Sequence, residues 1–176
     1  MSGSRFARLP IVCAVLLTCA AAAAQEPPAD RRFGLTVGYP ASSSPAGGVI
    51  GLIWQRSDRL ALRPEVSFNS TTTSTNHSWF VGATLTTLCY VHPKDGVIAY
   101  VGPRLAYTRS TSGGSVVSST YGIGGTAGLQ YALTRRIGLY GEIGLGYAYA
   151  RFSSVSVGGG AHNISSRSSV GLNLYF

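Results

Sequence analysis

The sequence predicts an all-β fold, an eight-stranded antiparallel up-and-down transmembrane β-barrel preceded by a cleaved signal peptide. Three observations lead to this prediction: an export segment at the N-terminus, eight segments in which apolar residues alternate with polar residues or glycine, and an unusual composition. Charged residues make up only 11% of the chain, whereas 23 residues are glycine. Such a chain is too poor in charge for an ordinary soluble surface, so part of its outside needs a non-aqueous solvent.

The N-terminus has the layout of a secretory signal peptide. Arg5 and Arg8 precede an apolar run and a series of alanines that ends at Ala24. The apolar stretch covers about 15 residues, fewer than the roughly 20 that a spanning helix needs. We therefore expect residues 1–24 to be removed and residues 25–176 to form one barrel domain.

The first four predicted strands, at 32–39, 48–55, 60–69 and 79–91, differ in how cleanly they alternate. The apolar face of the first strand consists of Phe33, Leu35, Val37 and Tyr39. The third strand has Leu60, Leu62, Val66 and Phe68 on one face and carries Arg63 and Glu65 on the other. The second strand alternates poorly and the fourth is apolar on both faces near its centre, so the register of these two strands stays open.

The last four predicted strands, at 97–109, 121–133, 137–151 and 165–176, repeat one scheme. One face is aliphatic or aromatic, and the other consists of glycine, hydroxyl groups and a few large polar side chains. The outward positions of the fifth strand are Val101, Leu105 and Tyr107, and those of the eighth are Val170, Leu172, Leu174 and Phe176. Each alternating segment is about ten residues long, which suits a tilted strand that crosses a bilayer.

The predicted connections alternate in length. Those at 40–47, 70–78, 110–120 and 153–164 are long and rich in Ser, Thr or Gly, whereas those at 57–59, 92–96 and 134–136 are short. Membrane barrels have short turns on the periplasmic side and longer loops outside. This pattern predicts that both termini are periplasmic.

Backbone groups left unpaired in lipid cost several kcal/mol each, so the first strand must pair with the eighth. An eight-stranded barrel leaves an interior that side chains can fill, so we expect no open pore. The large polar residues predicted to fill it are Arg63, Glu65, Arg104, Gln130, Tyr140, Glu142 and Arg167. A dry interior requires these groups to pair, and we expect arginines to hold both Glu65 and Glu142.

The mature chain is basic. Loss of Arg5 and Arg8 lowers the formal charge from +8 to +6. An exported chain rarely meets nucleic acid, so we expect no nucleic-acid partner and infer instead outer-membrane lipid and lipopolysaccharide. Arg109 and Arg151, at the ends of two strands, are candidates for contacts with lipid phosphates.

Three stretches carry a resemblance to a known family. Residues 100–107 read Tyr-Val-Gly-Pro-Arg-Leu-Ala-Tyr, residues 128–134 are followed by a short turn and a strand with Glu142, and the chain ends in alternating apolar residues and Phe176. The sequence thus resembles the small outer-membrane β-barrel proteins, such as outer-membrane protein X and the membrane domain of outer-membrane protein A. Arg104 departs from this pattern, since a small residue is usual there.

The resemblance implies a cell outer-membrane location and a structural or cell-surface role. It also implies that Val170, Leu172, Leu174 and Phe176 form the signal by which the barrel-assembly machinery recognises the chain. The resemblance does not indicate a surface ligand.

Two other functions are compatible with the strand pattern. A lipid A-modifying barrel enzyme needs a base oriented by a third group, but His162 near Ser165 and Ser166 has no acid close by in sequence. A soluble lipocalin-like periplasmic binding barrel is the other alternative. We expect no catalytic residues, cofactor or metal.

Overall fold

The computed structural model describes residues 32–40, 47–74, 76–94, 97–112, 116–153 and 158–176. The predicted signal peptide lies outside these ranges. The described residues form eight strands: β1 (Phe33–Pro40), β2 (Val49–Ser57), β3 (Leu60–Thr72), β4 (His77–Lys94), β5 (Val97–Ser112), β6 (Val116–Ala132), β7 (Ile137–Ser153) and β8 (Gly158–Tyr175). Within the same ranges, no helix is long and apolar enough to span a membrane.

The strands close into one antiparallel barrel in sequence order, and β1 pairs with β8. The predicted eight-stranded up-and-down barrel is therefore confirmed. The pairing of β1 with β8 continues to the last residue, since the Phe176 amide donates a hydrogen bond to the Phe33 carbonyl at 3.0 Å. Closure satisfies the edge groups that would otherwise face the surroundings unpaired.

The strands are staggered around the barrel. Following paired residues from Val37 through β2 to β7 leads to His162 on β8, whereas Val37 itself pairs with Leu172. The two positions on β8 are ten residues apart, so the strand register shifts by ten residues in one circuit of the barrel. For eight strands, this shift corresponds to a strand tilt of about 40–45° from the barrel axis. Among the described residues, β1 pairs with β8 only from Ser169 to Tyr175, although β8 begins at Gly158.

Large apolar side chains cover the outside of the barrel. Ile143, Leu145 and Val66 are 67%, 69% and 61% exposed, and the apolar residues of the predicted outward faces share this orientation. The inward positions between them are buried or half-buried. The outer surface of the barrel is apolar, whereas much of its interior is polar, the reverse of the usual arrangement in a soluble protein.

The structure resolves the register of the two ambiguous strands. On β2, Ile50, Leu52 and Trp54 face outward, whereas Ile53 is completely buried inside the barrel. On β4, Leu88 is likewise buried inside. Both strands alternate poorly in sequence because both of their faces carry apolar side chains. The side chains on one face cover the outside of the barrel, and those on the other face fill its interior.

The predicted long connections at 70–78, 110–120 and 153–164 are wrong. Most of these polar residues extend the strands, and the connections shrink to residues 73–76, 113–115 and 154–157. Apolar alternation depends on the solvent around a strand, whereas strand pairing depends on backbone hydrogen bonds. The ladders therefore continue past the last outward apolar residue into sequence rich in Ser, Thr and Gly.

Candidate functional site

An apolar and aromatic cluster fills the interior at the end that carries the termini. It consists of Ile53, Ala61, Leu88, Tyr100 and Tyr175, with Tyr90 packed against it. The rings of Tyr90 and Tyr100 meet edge to face, with their centroids 6.1 Å apart. We call this cluster the floor, because it occupies the lumen beneath the charged residues.

Glu142 on β7 is the centre of the charged network above the floor. Its Oε2 accepts hydrogen bonds from Arg63 Nη2 at 2.6 Å and from the Tyr100 hydroxyl at 3.0 Å. Its Oε1 accepts from Arg167 Nη1 at 2.8 Å and from the Ser169 hydroxyl at 3.1 Å. Four donors from three other strands therefore converge on one buried carboxylate, which is how a charge can be held away from water.

Glu65 on β3 is the second acid of the network. Its Oε1 lies 3.3 Å from Arg63 Nε, and its Oε2 accepts from Arg104 Nη1 at 3.2 Å. Arg63 thus bridges both acids, while Arg104 also donates to Thr84 Oγ1 at 3.2 Å. The Arg63 guanidinium lies over the Tyr140 ring, 5.1 Å from its centroid, a cation–π contact.

A separate group of neutral polar residues lies beside the floor. The side chain of Gln130 exchanges hydrogen bonds with the Tyr175 hydroxyl at 2.9 and 3.1 Å, and its Oε1 accepts from Asn173 Nδ2 at 3.1 Å. Inward glycines make this crowded interior possible. A Cβ on Gly171 would lie 2.6 Å from the Tyr140 ring, and one on Gly128 would lie 2.5 Å from the Tyr100 hydroxyl oxygen.

The structure places all seven residues of the predicted interior cluster inside the barrel, but in two groups. Arg63, Glu65, Arg104, Tyr140, Glu142 and Arg167 form the charged network, and Gln130 belongs to the neutral group. The sequence prediction did not include Tyr100, Ser169 or Asn173. The outward position of Val101 could have identified Tyr100, because neighbouring residues on a strand face opposite sides.

The network's most exposed members face away from the floor. The side chains of Arg104 and Arg167 are 17% and 28% exposed, compared with 1% for Arg63. Both arginines line a cavity of about 420 Å³ in the upper lumen, at the end opposite the termini. The network therefore combines a sealed lower part with an accessible, basic upper part.

The histidine group considered as a catalytic candidate does not have the geometry of a triad. His162 pairs with Tyr149 across the β7–β8 ladder, and its ring is tilted by 41° against the Tyr149 ring. It stacks on the Tyr147 ring and forms a hydrogen bond with the Tyr147 hydroxyl through Nδ1. Ser165 and Ser166 point to opposite faces of β8. Among the described residues, no three His, Cys, Asp or Glu side chains cluster in a way that could hold a metal ion.

Arg109 and Arg151 occupy one row on the outside of the barrel. Arg109 pairs with Ser119 on β6, and Ser119 pairs with Arg151 on β7, so the two arginines flank a serine. The next row toward the termini contains Tyr107, Tyr121 and Tyr149. A row of tyrosines beside a row of cations is typical of a bilayer interface, where one end of the ring stays wet.

Comparisons with known proteins identify the fold. No family model and no curated protein matches the sequence. Neisserial surface protein A (NspA) is similar in structure, with a TM-score of 0.50 and 20% identity over 82% of this chain and 94% of that chain. A major outer membrane protein from Thermus thermophilus has a TM-score of 0.51 and 13% identity over 85% of this chain and 100% of that chain. The fold is thus that of the small outer-membrane β-barrels, as the sequence predicted.

Proposed function

We propose that the chain is an integral protein of the bacterial outer membrane, with a structural or cell-surface role, no open pore and no catalytic activity. The apolar outer surface is the observation that carries this proposal. Burying each large apolar side chain contributes about 1.5–3 kcal/mol, so a surface that exposes so many of them in water is strongly disfavoured. The same surface counts against the soluble lipocalin-like alternative, whose apolar side chains would face the inside of the barrel.

The longest connection and the outer row of arginines support periplasmic termini. At the end of the barrel that carries the termini, the chain turns through Asp58 and Arg59 and through residues 133–136. At the opposite end, residues 41–48 connect β1 to β2, and the outer row of arginines lies toward that end. We propose that the alternating C-terminal residues are the signal that barrel-assembly machinery recognises; their exposure on the outer surface supports this role for Val170, Leu172, Leu174 and Phe176.

The floor and the charged network support a closed lumen. Arg63, Tyr100, Ile53 and Leu88 are each 1% exposed or less, and they come from four different strands. An ion that crosses the barrel would have to displace this packed layer and break the contacts of Glu142. This arrangement favours a structural plug over a conducting path.

Fractionation tests the membrane location, and bilayer recording tests the closed lumen. We expect the expressed chain to separate with the outer membrane, to resist extraction by buffer, and to run as a heat-shifted band on a gel. The purified protein should add no stepwise conductance to a planar bilayer. Release into buffer would refute the membrane proposal, and regular conductance steps would refute the closed lumen.

We propose further that the row containing Arg109, Ser119 and Arg151 binds phosphates of lipopolysaccharide. Adjacent strands are about 4.8 Å apart, so the backbones of the two arginines are about 10 Å apart on one face. A guanidinium presents a planar fork of donors that suits phosphate oxygens. The serine between them offers a hydroxyl donor in the same row.

Replacing both outer arginines, Arg109→Gln and Arg151→Gln, should reduce the increase in unfolding temperature that lipopolysaccharide gives the barrel. A cation near an anionic lipid surface contributes about 1 kcal/mol, so the double variant should bind about tenfold or more weakly. The measurement is the temperature at which the heat-shifted band unfolds, with and without added lipopolysaccharide. The matched control is Arg135→Gln with Arg136→Gln, in the exposed turn at the opposite end. If lipopolysaccharide raised the unfolding temperature of both double variants equally, the proposal would be contradicted.

A further inference from the structure

The upper lumen contains a cavity that the charged network does not fill. It has a volume of about 420 Å³, within the range of about 300–1,000 Å³ that small-molecule sites usually have. The floor closes the lumen on the side of the termini, so a ligand enters from the opposite end. The neutral polar residues that line the cavity from inward positions are Ser67, Thr84, Thr108, Asn163, Ser165 and Ser169.

Arg104 gives this cavity a positive charge. The charged network contains two glutamates and three arginines, so it carries one surplus positive charge. Without Arg104 the network would be neutral. A charge between walls of low dielectric constant acts more strongly than the same charge in water. The surplus therefore favours the binding of an anion in the cavity.

Arg104 is also the arginine that a ligand can contact directly. One of its five N–H groups bonds to Glu65 and one to Thr84, and Nη1 lies 3.8 Å from Glu142 Oε1. The side chain lines the cavity and is 17% exposed, so solvent reaches it. Arg167 differs, because its Nη1 bonds to Glu142 and its Nη2 is shielded from solvent. Arg104 therefore provides the contact with an anion, and Arg167 contributes only its charge.

The rest of the cavity wall suits a ligand that carries hydroxyl groups. Ser67 on β3 and Thr108 on β5 point inward, as do Asn163 and Ser165 on β8. Hydroxyl and amide side chains both donate and accept hydrogen bonds, so they match the hydroxyls of a ligand in either role. The lining thus combines one accessible cation with a wall of neutral polar groups.

We propose that the upper lumen binds a polyhydroxylated monocarboxylate of the size of one sugar, such as a sugar acid. Its carboxylate binds to Arg104, and its hydroxyls bind to the neutral polar wall. A single negative charge neutralises the surplus, whereas a second would be repelled by Glu65 and Glu142, which also line the cavity. The inference rests on the proposed periplasmic termini only for the source of the ligand, because the cavity then faces the cell exterior.

Calorimetric titration of the purified barrel in zwitterionic detergent, with glucuronate as the probe, tests this inference. We expect one glucuronate to bind per barrel. Glucose lacks the carboxylate and acetate lacks the hydroxylated ring, so each should bind about tenfold or more weakly than glucuronate. If either glucose or acetate bound as tightly as glucuronate, the inference would be overturned.

Two variants that keep the heat-shifted band locate the site. Arg104→Gln removes the surplus charge and should weaken glucuronate binding by about tenfold or more. Its control, Arg135→Gln, removes the same charge from a distant turn and should bind as the parent does. Ala106 lines the cavity two residues from Arg104, so Ala106→Phe should weaken binding by filling the space without a change in charge. Unchanged binding in both Arg104→Gln and Ala106→Phe would overturn the inference.

Failure of the sugar-acid site can be distinguished from failure of the membrane proposal, because the titration does not depend on where the protein is located in the cell. A barrel that separates with the outer membrane but does not bind glucuronate overturns the site alone. A barrel that binds glucuronate but is released into buffer supports the site and refutes the membrane proposal.

Discussion

Replacing Glu142 by leucine should destabilise the barrel by about 3–5 kcal/mol, the usual cost of removing one partner from a buried ion pair. The substitution leaves Arg63 and Arg167 without their closest acid and removes the acceptor of the Tyr100 hydroxyl. The interior would then hold three arginines against Glu65 alone. We expect the heat-shifted band in detergent to disappear at a clearly lower temperature than in the parent.

Two further variants show whether the loss comes from uncompensated charge. Adding Arg63→Leu to Glu142→Leu returns the interior to a surplus of one positive charge and replaces the bridging pair by apolar side chains, so part of the lost stability should return. Arg135→Leu, in an exposed turn, should change stability by less than about 0.5 kcal/mol. An unchanged melting temperature for Glu142→Leu would show that the network does not stabilise the barrel.

The strands could be predicted from the sequence where their two faces contact environments of different polarity. On β5 to β7, outward apolar residues alternate with glycines and polar residues because the outside and the lumen differ in polarity. The signal weakens on β2 and β4, where Ile53 and Leu88 pack into the floor and make the inner face apolar as well. It also fails beyond the apolar belt, where the strands continue without a contrast between the faces.

The composition of the interior was more predictable than its pairing. Alternation alone places Arg63 and Glu142 on inner faces, but 79 residues separate them in sequence and they lie on β3 and β7. Whether their side chains meet depends on the height of each residue along a tilted strand, and hence on the stagger around the barrel. That stagger arises from every strand pairing together, and no single segment of the sequence encodes it.

The lengths of the connections could not be predicted for a related reason. The segment 40–47 was predicted as one long connection among four, whereas the other three proved to be strand extensions with short connections. Backbone pairing with a neighbouring strand carries these extensions past the apolar residues, and the sequence of one segment does not reveal that pairing.

Replacing Ile143 by arginine should strongly reduce the amount of assembled barrel. Ile143 faces outward and is 67% exposed. If lipid surrounds this face, an arginine near the middle of the bilayer costs about 2–4 kcal/mol. If water surrounded it, the same change would be neutral or would improve solubility, because it exchanges an exposed apolar group for a charge. The measurement is the fraction of the chain that gives a heat-shifted band after refolding into vesicles of phosphatidylcholine.

Ser153→Arg is the matched control, since Ser153 lies on the same strand and the same face, beyond the row of Arg151. The two variants have the same strand, orientation and introduced side chain, so they differ mainly in depth along the barrel. We expect Ser153→Arg to fold like the parent, because its guanidinium would lie among phosphates and water. Equal assembly of the two variants would mean that depth has no effect, and lipid could then not be the solvent of the apolar surface.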